Sequence, residues 1–443
     1  MKQKILFLLL LMGCLAGSVP LRAQQNATDD LIKNLQARVK RNPEDHAGYA
    51  SLGAAYLQKG RETADAADYE LAKGALEKSL DLLSNDPAAA FAMTQMAVVG
   101  MVEHRFEDAL TWAQRALALG SGDPSPWAIA GDALADVGDY KGASEAYSRL
   151  QSSFGSEDQK LALSYQRDSR MSFLRFVAGD TQGAIQLMRS AVRTAMETHM
   201  PPENIAWSEY QLGEEFFLAG ETKAAEKAYL ASLDECPNYY RALAGLAKVR
   251  ASQGRYIDAV KLYQGAIARV PYPEYAAALG DIYYKLGQIE DAKKQYALVE
   301  FIGYLSQLNQ QIHNRDLALF YADHGLKLNE SLALAQKELE VRRDIYTWDV
   351  LAWSLLKNDK PQEAAQAISH ALEQGTKDPH LFFHAGMIYE RLGDSPKAKD
   401  YLQRALETNP EFHITYAEIA RQTLDRMNEG QPAVSAQEAG NAQ

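Results

Sequence analysis

Between residues 211 and 300 one set of small, aromatic and glycine positions returns at a nearly constant interval. Leu212, Gly220, Ala225, Tyr229 and Pro237 are followed 34 positions later by Leu246, Gly254, Ala259, Tyr263 and Pro271. Leu279, Gly287, Ala292 and Tyr296 then repeat the first four of these after 33. A period of that length leaves few folds open. Each copy is one supersecondary unit, too small to bury its own apolar face, so neighbours must stack. The 443 residues would otherwise suggest about three domains, and the period overrides that reading.

The unit is clearest from Asp378 to Pro410. Phe382, Ala385, Gly386 and Tyr389 fall on one face of a helix predicted over 379–392, at i, i+3, i+4 and i+7. Gly393-Asp394 ends it, because glycine takes the left-handed conformation that terminates a helix. A second helix follows over 396–407, with Ala398, Leu402 and Ala405 inward and Asn409-Pro410 as its stop. Aromatic-x2-small-Gly-x2-Tyr, then Ala-x3-Leu-x2-Ala, then Pro, resembles the tetratricopeptide repeat. The resemblance implies an all-α fold, a right-handed solenoid of helix-turn-helix units.

Weaker copies extend the array. Trp127, Gly131, Gly138, Ala143 and Tyr147 mark one; Trp348, Leu351, Ala352, Ala364 and Ala371 mark another. Tyr49, Leu52, Gly53 and Tyr56 open a first copy whose second helix is delayed by an insertion over 62–68. Ala109 and Ala113, Gly179 and Ala184, and Leu317 and Phe320 mark the rest, for about ten repeats between Asn42 and Pro410. The expected order is repeats 1–3 over 42–160, repeats 4–7 over 161–300, and a spacer helix with repeats 8–10 over 301–410. A capping helix over 411–427 and a disordered tail over 428–443 close it. Seams at 152–160, 196–204 and 301–314 are possible hinges or continuous packing, a choice the residues leave open.

Residues 1–23 read as a signal peptide, ahead of an N-terminal segment over 24–41. Lys2 and Lys4 precede an apolar run from Ile5 to Met12, and Leu21-Arg22-Ala23 offers a cleavage site. This predicts a periplasmic or secreted chain. Leu11-Met12-Gly13-Cys14 resembles a lipoprotein box, which would anchor the chain to a membrane through Cys14 instead. No later stretch offers the run of about 18 apolar residues that a transmembrane helix requires. Cleavage after Ala23 removes Lys2, Lys4 and Arg22, taking the net charge from -12 to -15. So acidic a chain is a poor partner for nucleic acid or anionic lipid. Cys236 would then be the single cysteine, without a disulfide partner in its own chain.

The resemblance places ligand contacts on the concave face, at first-helix positions 2, 5, 9, 12 and 13. A protein or peptide partner is therefore expected in that groove, held in the last two repeats by Tyr346, Trp353, Lys357, Phe383, Met387, Glu390 and Arg391. Aromatic anchors give large contact area at small entropic cost. The fifth and seventh repeats offer Trp207, Tyr210, Glu214 and Phe217, and Glu274, Asp281 and Tyr284. Chaperone-binding members of the family clamp a terminal carboxylate with Lys and Asn at positions 5 and 9. Here those positions hold Tyr210 and Glu214, Ala244 and Lys248, and Ala277 and Asp281, so that mode is not expected.

His380 and His384 lie one turn apart, a spacing that can hold a metal, but no acid or thiol of matching spacing joins them on that helix. No cofactor is expected. No nucleophile elbow, phosphate loop or zinc-protease motif occurs, which makes an enzyme the remote reading. The expectation is a scaffold for protein interaction in the bacterial cell envelope. A rival comes from the closing repeats, LEVRRDIYTWDVLAWSLLKN and LFFHAGMIYERLGD. They resemble those of exported bacterial repeat proteins associated with metal permeases, which implies an accessory part in metal transport.

Overall fold

A computed structural model describes residues 21–63, 65–151, 156–308 and 314–429. Among these residues run twenty-two α-helices and no strand. The first, α1 (Leu21–Arg41), covers most of the expected N-terminal segment. Hairpins follow: α2 (His46–Thr63) with α3 (Ala66–Leu82), α4 (Ala90–Val102) with α5 (Phe106–Ala118), and α6 (Ser125–Asp136) with α7 (Tyr140–Ser148). Next come α8 (Glu157–Val177) with α9 (Thr181–Glu197), α10 (Pro202–Leu218) with α11 (Thr222–Glu235), and α12 (Tyr240–Ser252) with α13 (Tyr256–Arg269). Then α14 (Pro273–Lys285) with α15 (Ile289–Leu308), α16 (Asn314–Asp323) with α17 (Leu328–Val341), and α18 (Ile345–Lys357) with α19 (Pro361–Leu372). The tenth hairpin is α20 (Pro379–Arg391) with α21 (Ser395–Thr408), and α22 (Tyr416–Asn428) closes the series. Ten hairpins were expected, and the fold is an all-α solenoid of that kind.

Local chemistry sets the helix ends. Asp139, Asp344 and Asp378 accept from backbone N–H groups two or three residues on, at 2.8, 2.7 and 2.8 Å, capping α7, α18 and α20. Proline sits in the first turn of α6, α14, α19, α20 and α21, where no intrahelical donor is lost.

Within a hairpin a small residue faces a large one. A Cβ on Gly386 would lie 2.6 Å from Leu402 Cγ, so only glycine lets α20 approach α21. The Tyr229 ring wedges between Gly213 of its own repeat and Gly245 of the next, and a Cβ on Gly213 would meet that ring at 2.5 Å. The aromatic thus locks its own hairpin and the next one.

The chain divides into two compact units. One comprises residues up to Arg170 with Thr194–Pro201; the other comprises Met171–Arg193 with the residues from Pro202 on. In the first, α2 to α6 share an apolar core that includes Leu57, Leu76, Met93, Val99 and Ile129. In the second, the end of the tenth repeat touches the fifth. Asn409 Nδ2 donates to the Phe217 carbonyl at 2.6 Å across 192 positions of sequence. Beside it Gly220 (φ +77°) packs so tightly that a Cβ would sit 2.5 Å from the Thr408 carbonyl oxygen. Lys285, at the end of α14, reaches Glu418 of α22 at 3.0 Å. Within this unit the fifth repeat therefore meets the end of the tenth, and the seventh meets α22.

Three expectations need correction. The spacer helix over 301–314 is not separate: residues 301–308 continue α15 without a break, while 309–313 lie outside the described residues. The cap starts at Tyr416 rather than near residue 411, which turns Ala420 and Thr423 inward and leaves Ile419 half-buried. The insertion expected over 62–68 is shorter in structure, since Asp65 already caps α3. Cys14, most of the expected signal peptide and the tail from residue 430 lie outside the described residues.

Candidate functional site

Charges on the first helices are answered by the chain itself. In repeats three, five and seven an acid on the first helix receives a tyrosine hydroxyl from the second helix, fifteen residues on. Tyr147 donates to Asp132 at 2.9 Å, Tyr229 to Glu214 at 2.6 Å and Tyr296 to Asp281 at 2.9 Å. Each acid also meets a base from the following repeat. Arg170 reaches Asp132 at 2.9 Å, Lys248 reaches Glu214 at 2.5 Å and His324 reaches Asp281 at 2.8 Å. Acid, tyrosine and base form three like triads. Burial against the Asp132 carboxylate holds the Tyr147 hydroxyl well above its ordinary pKa.

The last two repeats carry the residues expected to grip a partner, and the structure places the aromatic ones in the interior. Tyr346, Trp353 and Phe383 are 2%, 3% and 1% exposed. Trp353 stacks on His384 with centroids 4.2 Å apart and donates its indole N–H to Asp323 at 2.8 Å. Phe383 stacks on Tyr416 at 4.4 Å, and the Tyr416 hydroxyl donates to Asp323. The charged members are engaged as well. Lys357 lies 4.7 Å over the Trp353 ring, Glu390 pairs with Arg426 at 2.7 Å, and Arg391 pairs with Asp359. Met387 remains half-buried. The reason is the path of the chain after α21: it turns inward and lays Phe412 and Tyr416 over these rings. As open anchors for a partner Tyr346, Trp353 and Phe383 are corrected, while Met387 and Arg391 keep part of their surface exposed.

His380 and His384 each turn Nδ1 toward an aspartate. His384 Nδ1 lies 2.8 Å from Asp349 Oδ1, and His380 Nδ1 lies 3.2 Å from Asp378 Oδ1. Burial pushes the His380 imidazole down to about 4. Among the described residues no cluster of three His, Cys, Asp or Glu is arranged to hold an ion. Cys236 is half-buried, and burial raises its thiol pKa.

A cavity of about 90 Å³ remains on the inner face of the second unit. Glu214, Lys248 and Asp281 come to it from α10, α12 and α14, Asp323 from α16, His413 from the segment before α22 and Tyr416 from the first turn of α22. Burial raises the pKa of Asp323 although His324 opposes the shift. Nearby, Tyr284 at the end of α14 stays 43% exposed. The family resemblance offered Glu214, Asp281 and Tyr284 as groove residues but not Asp323, Tyr416 and the closing segment. An acid followed by tyrosine fifteen positions later was a usable signal for the triads; nothing local announces the approach of residues 409–416.

Relatives bear on what such a surface is. A family model described as tetratricopeptide repeat matches residues 210–276 and 350–412, and a second of that description matches 273–299. The Protein CTR9 homolog of Arabidopsis thaliana is 27% identical over 217 residues, 45% of this chain and 19% of that protein. The chain thus spans about a fifth of that relative's length. Among solved structures, yeast Tom70 is 14% identical and aligns over 92% of this chain and 95% of its own, with a TM-score of 0.42. A tetratricopeptide repeat protein from Parabacteroides merdae is 17% identical, over 59% of this chain and 98% of its own, with a TM-score of 0.33. With ten helical hairpins and these family-model matches, the chain is a tetratricopeptide repeat protein.

Proposed function

We propose that this protein is an interaction scaffold, exported to the bacterial cell envelope, that holds a protein or peptide partner on the inner face of repeats five to seven. Tetratricopeptide repeats serve protein–protein interaction, which supports the scaffold reading at family level. The observation that carries the choice of surface is the contrast between two parts of one face. In repeats nine and ten the aromatic groups are covered by Phe412 and Tyr416, whereas around α14 a cavity persists and Tyr284 stays exposed. The proposal assigns no chemical step, and among the described residues no helix is long and apolar enough to cross a membrane.

A photo-crosslinking side chain in place of Tyr284 tests the surface. It should trap one defined protein in cells, and the same side chain in place of Ile257, 57% exposed on a second helix, should not. Equal trapping from both positions would sink the choice of face. Fractionation tests the location: a chain shortened at its N-terminus should appear outside the cytoplasm, unchanged by Cys14→Ser. Loss of processing in that variant would favour the lipid anchor.

A further inference from the structure

Buried arginines in this protein come with acids, and one does not. Arg170 pairs with Asp132 at 2.9 Å, Arg315 with Asp344 at 3.2 Å and Arg342 with Glu338 at 3.2 Å, all at or below 4% side-chain exposure. Arg241, on the first turn of α12, is 6% exposed, and its Nε and Nη2 have no hydrogen-bond partner. Among the described residues no carboxylate pairs with it. Aromatic faces hold it instead, with its guanidinium carbon 4.9 Å from the Tyr240 ring centroid and 5.7 Å from that of Tyr272. Those rings belong to a continuous chain of four. Tyr239 to Tyr240 is 5.5 Å, Tyr240 to Tyr272 is 5.8 Å and Tyr272 to Tyr275 is 5.6 Å.

A guanidinium taken from water without a counter-charge is costly, and ring faces recover only part of that cost. The unsatisfied edge is informative. Nε and Nη2 together form the fork that takes a carboxylate through two parallel hydrogen bonds. Arg241 also lies at position 2 of its repeat, on the face proposed for the partner. The other two bases of α12 are already committed, Lys248 to Glu214 and Arg250 to Glu226.

We propose that Arg241 and its tyrosine chain form a receptor for a single carboxylate carried by a partner peptide, an acidic side chain engaged side-on by the Nε–Nη2 edge. The proposal rests on the scaffold reading and names the chemistry its partner brings. One guanidinium, with Glu203 and Glu274 acting on the same tyrosines, suits a monoanion; a phosphate dianion calls for a cluster of bases. Tyr240 and Tyr272 are half-buried, so the rings over the guanidinium form the part of the site that would open.

The test is titration of the full chain, labelled at arginine Nε, with the monocarboxylate acetyl-glutamyl amide and separately with inorganic phosphate. One exchange-protected Nε–H signal should move saturably with the glutamyl amide, with a Kd on the order of millimolar for one isolated charge pair. The paired Arg170, Arg315 and Arg342 should not respond. Arg241→Lys keeps charge and ring contact but loses the fork, and should weaken binding at least tenfold; Arg241→Met should abolish it. Failure of every protected signal in the wild-type chain overturns the proposal whether or not the variants fold. So does tighter binding of phosphate, or an equal response in Arg241→Lys. A chain that traps its partner from position 284 yet takes no carboxylate loses this proposal alone. One that takes the carboxylate but traps nothing loses the scaffold reading instead.

Discussion

Tyr229 donates its hydroxyl to Glu214 at 2.6 Å from fifteen residues further along the chain, and the same ring wedges between Gly213 and Gly245. One side chain therefore does two jobs: it joins two hairpins and it answers a charge on the inner face. Because Tyr147 and Tyr296 repeat the hydrogen bond to Asp132 and Asp281, three acids on the groove side serve cohesion between repeats. A charge at a groove position is thus a poor guide to a ligand here. An unanswered charge is a better one.

Gly386→Leu should destabilise the last two repeats. The substituted Cβ would lie 2.6 Å from Leu402 Cγ and 3.2 Å from the Leu402 backbone nitrogen, so a side chain and a main chain both stand in its way. Overpacking of this kind costs about 1–3 kcal/mol before backbone shifts are added. Hydrogen exchange should quicken in α18 to α22 and stay unchanged in α2 to α6, since in a stack of repeats the damage stays with the repeats in contact with the altered one. A uniform increase along the chain would contradict the linear build.

Trp353→Ala should lower thermal stability and leave partner capture from position 284 intact. The indole is 3% exposed, stacked on His384 and hydrogen-bonded to Asp323. Truncating a buried tryptophan costs about 3–5 kcal/mol. Lost capture with an unchanged melting temperature would restore Trp353 as a contact residue.

Much of the fold was legible. Gly386 announced a close hairpin, and the recurring Tyr229 and Tyr296 announced the rings packed between helices, because each packing partner lies in the same repeat or the next. The period carries no information on how far the stack turns before it meets itself. The bond from Asn409 to the Phe217 carbonyl spans 192 positions and depends on small angles summed over several repeats. For the same reason the covering of Trp353 and Phe383 was not legible. A helical face can be read from spacing; what lies over it depends on where Phe412 and Tyr416 arrive. Arg241 escaped notice because a missing partner is visible only in three dimensions.

Glu215 should make stability fall as pH rises. Burial pushes its carboxyl up to about 8 from an ordinary 4.5, against the Ser172 hydrogen bond, which favours the ionised form. Ser172 Oγ stands within hydrogen-bond reach of both the Ala184 carbonyl, at 2.7 Å, and the Glu215 carboxyl, and its single proton serves one of them at a time. Below pH 4.5 both states hold the proton and the group is neutral to folding. Between 4.5 and about 8 only the unfolded chain ionises, and the folded state loses ground progressively; beyond 8 the loss levels off. Glu215→Gln should abolish this slope, matching wild type near pH 4.5 and exceeding it at pH 8 by an amount on the order of a few kcal/mol. Parallel pH profiles for the two proteins in urea unfolding would refute the assignment.

Lys248→Met should cost more than Tyr229→Phe, although each takes one partner from Glu214. Phenylalanine keeps the wedge between Gly213 and Gly245 and leaves the carboxylate with its lysine, so the loss is that of one hydrogen bond to a charged group, about 1.5–3 kcal/mol. Methionine leaves Glu214, 5% exposed, without the base that balances its charge. Breaking a buried pair from one side costs about 3–5 kcal/mol, and the lysine's own 27% exposure puts this case toward the lower end. Replacing both partners, Glu214→Leu with Lys248→Met, removes the stranded charge and should recover much of the loss. Urea unfolding of the single and double variants reads all three values. If Lys248→Met proves no more harmful than Tyr229→Phe, water reaches Glu214 freely and the triads are not the cement between these repeats.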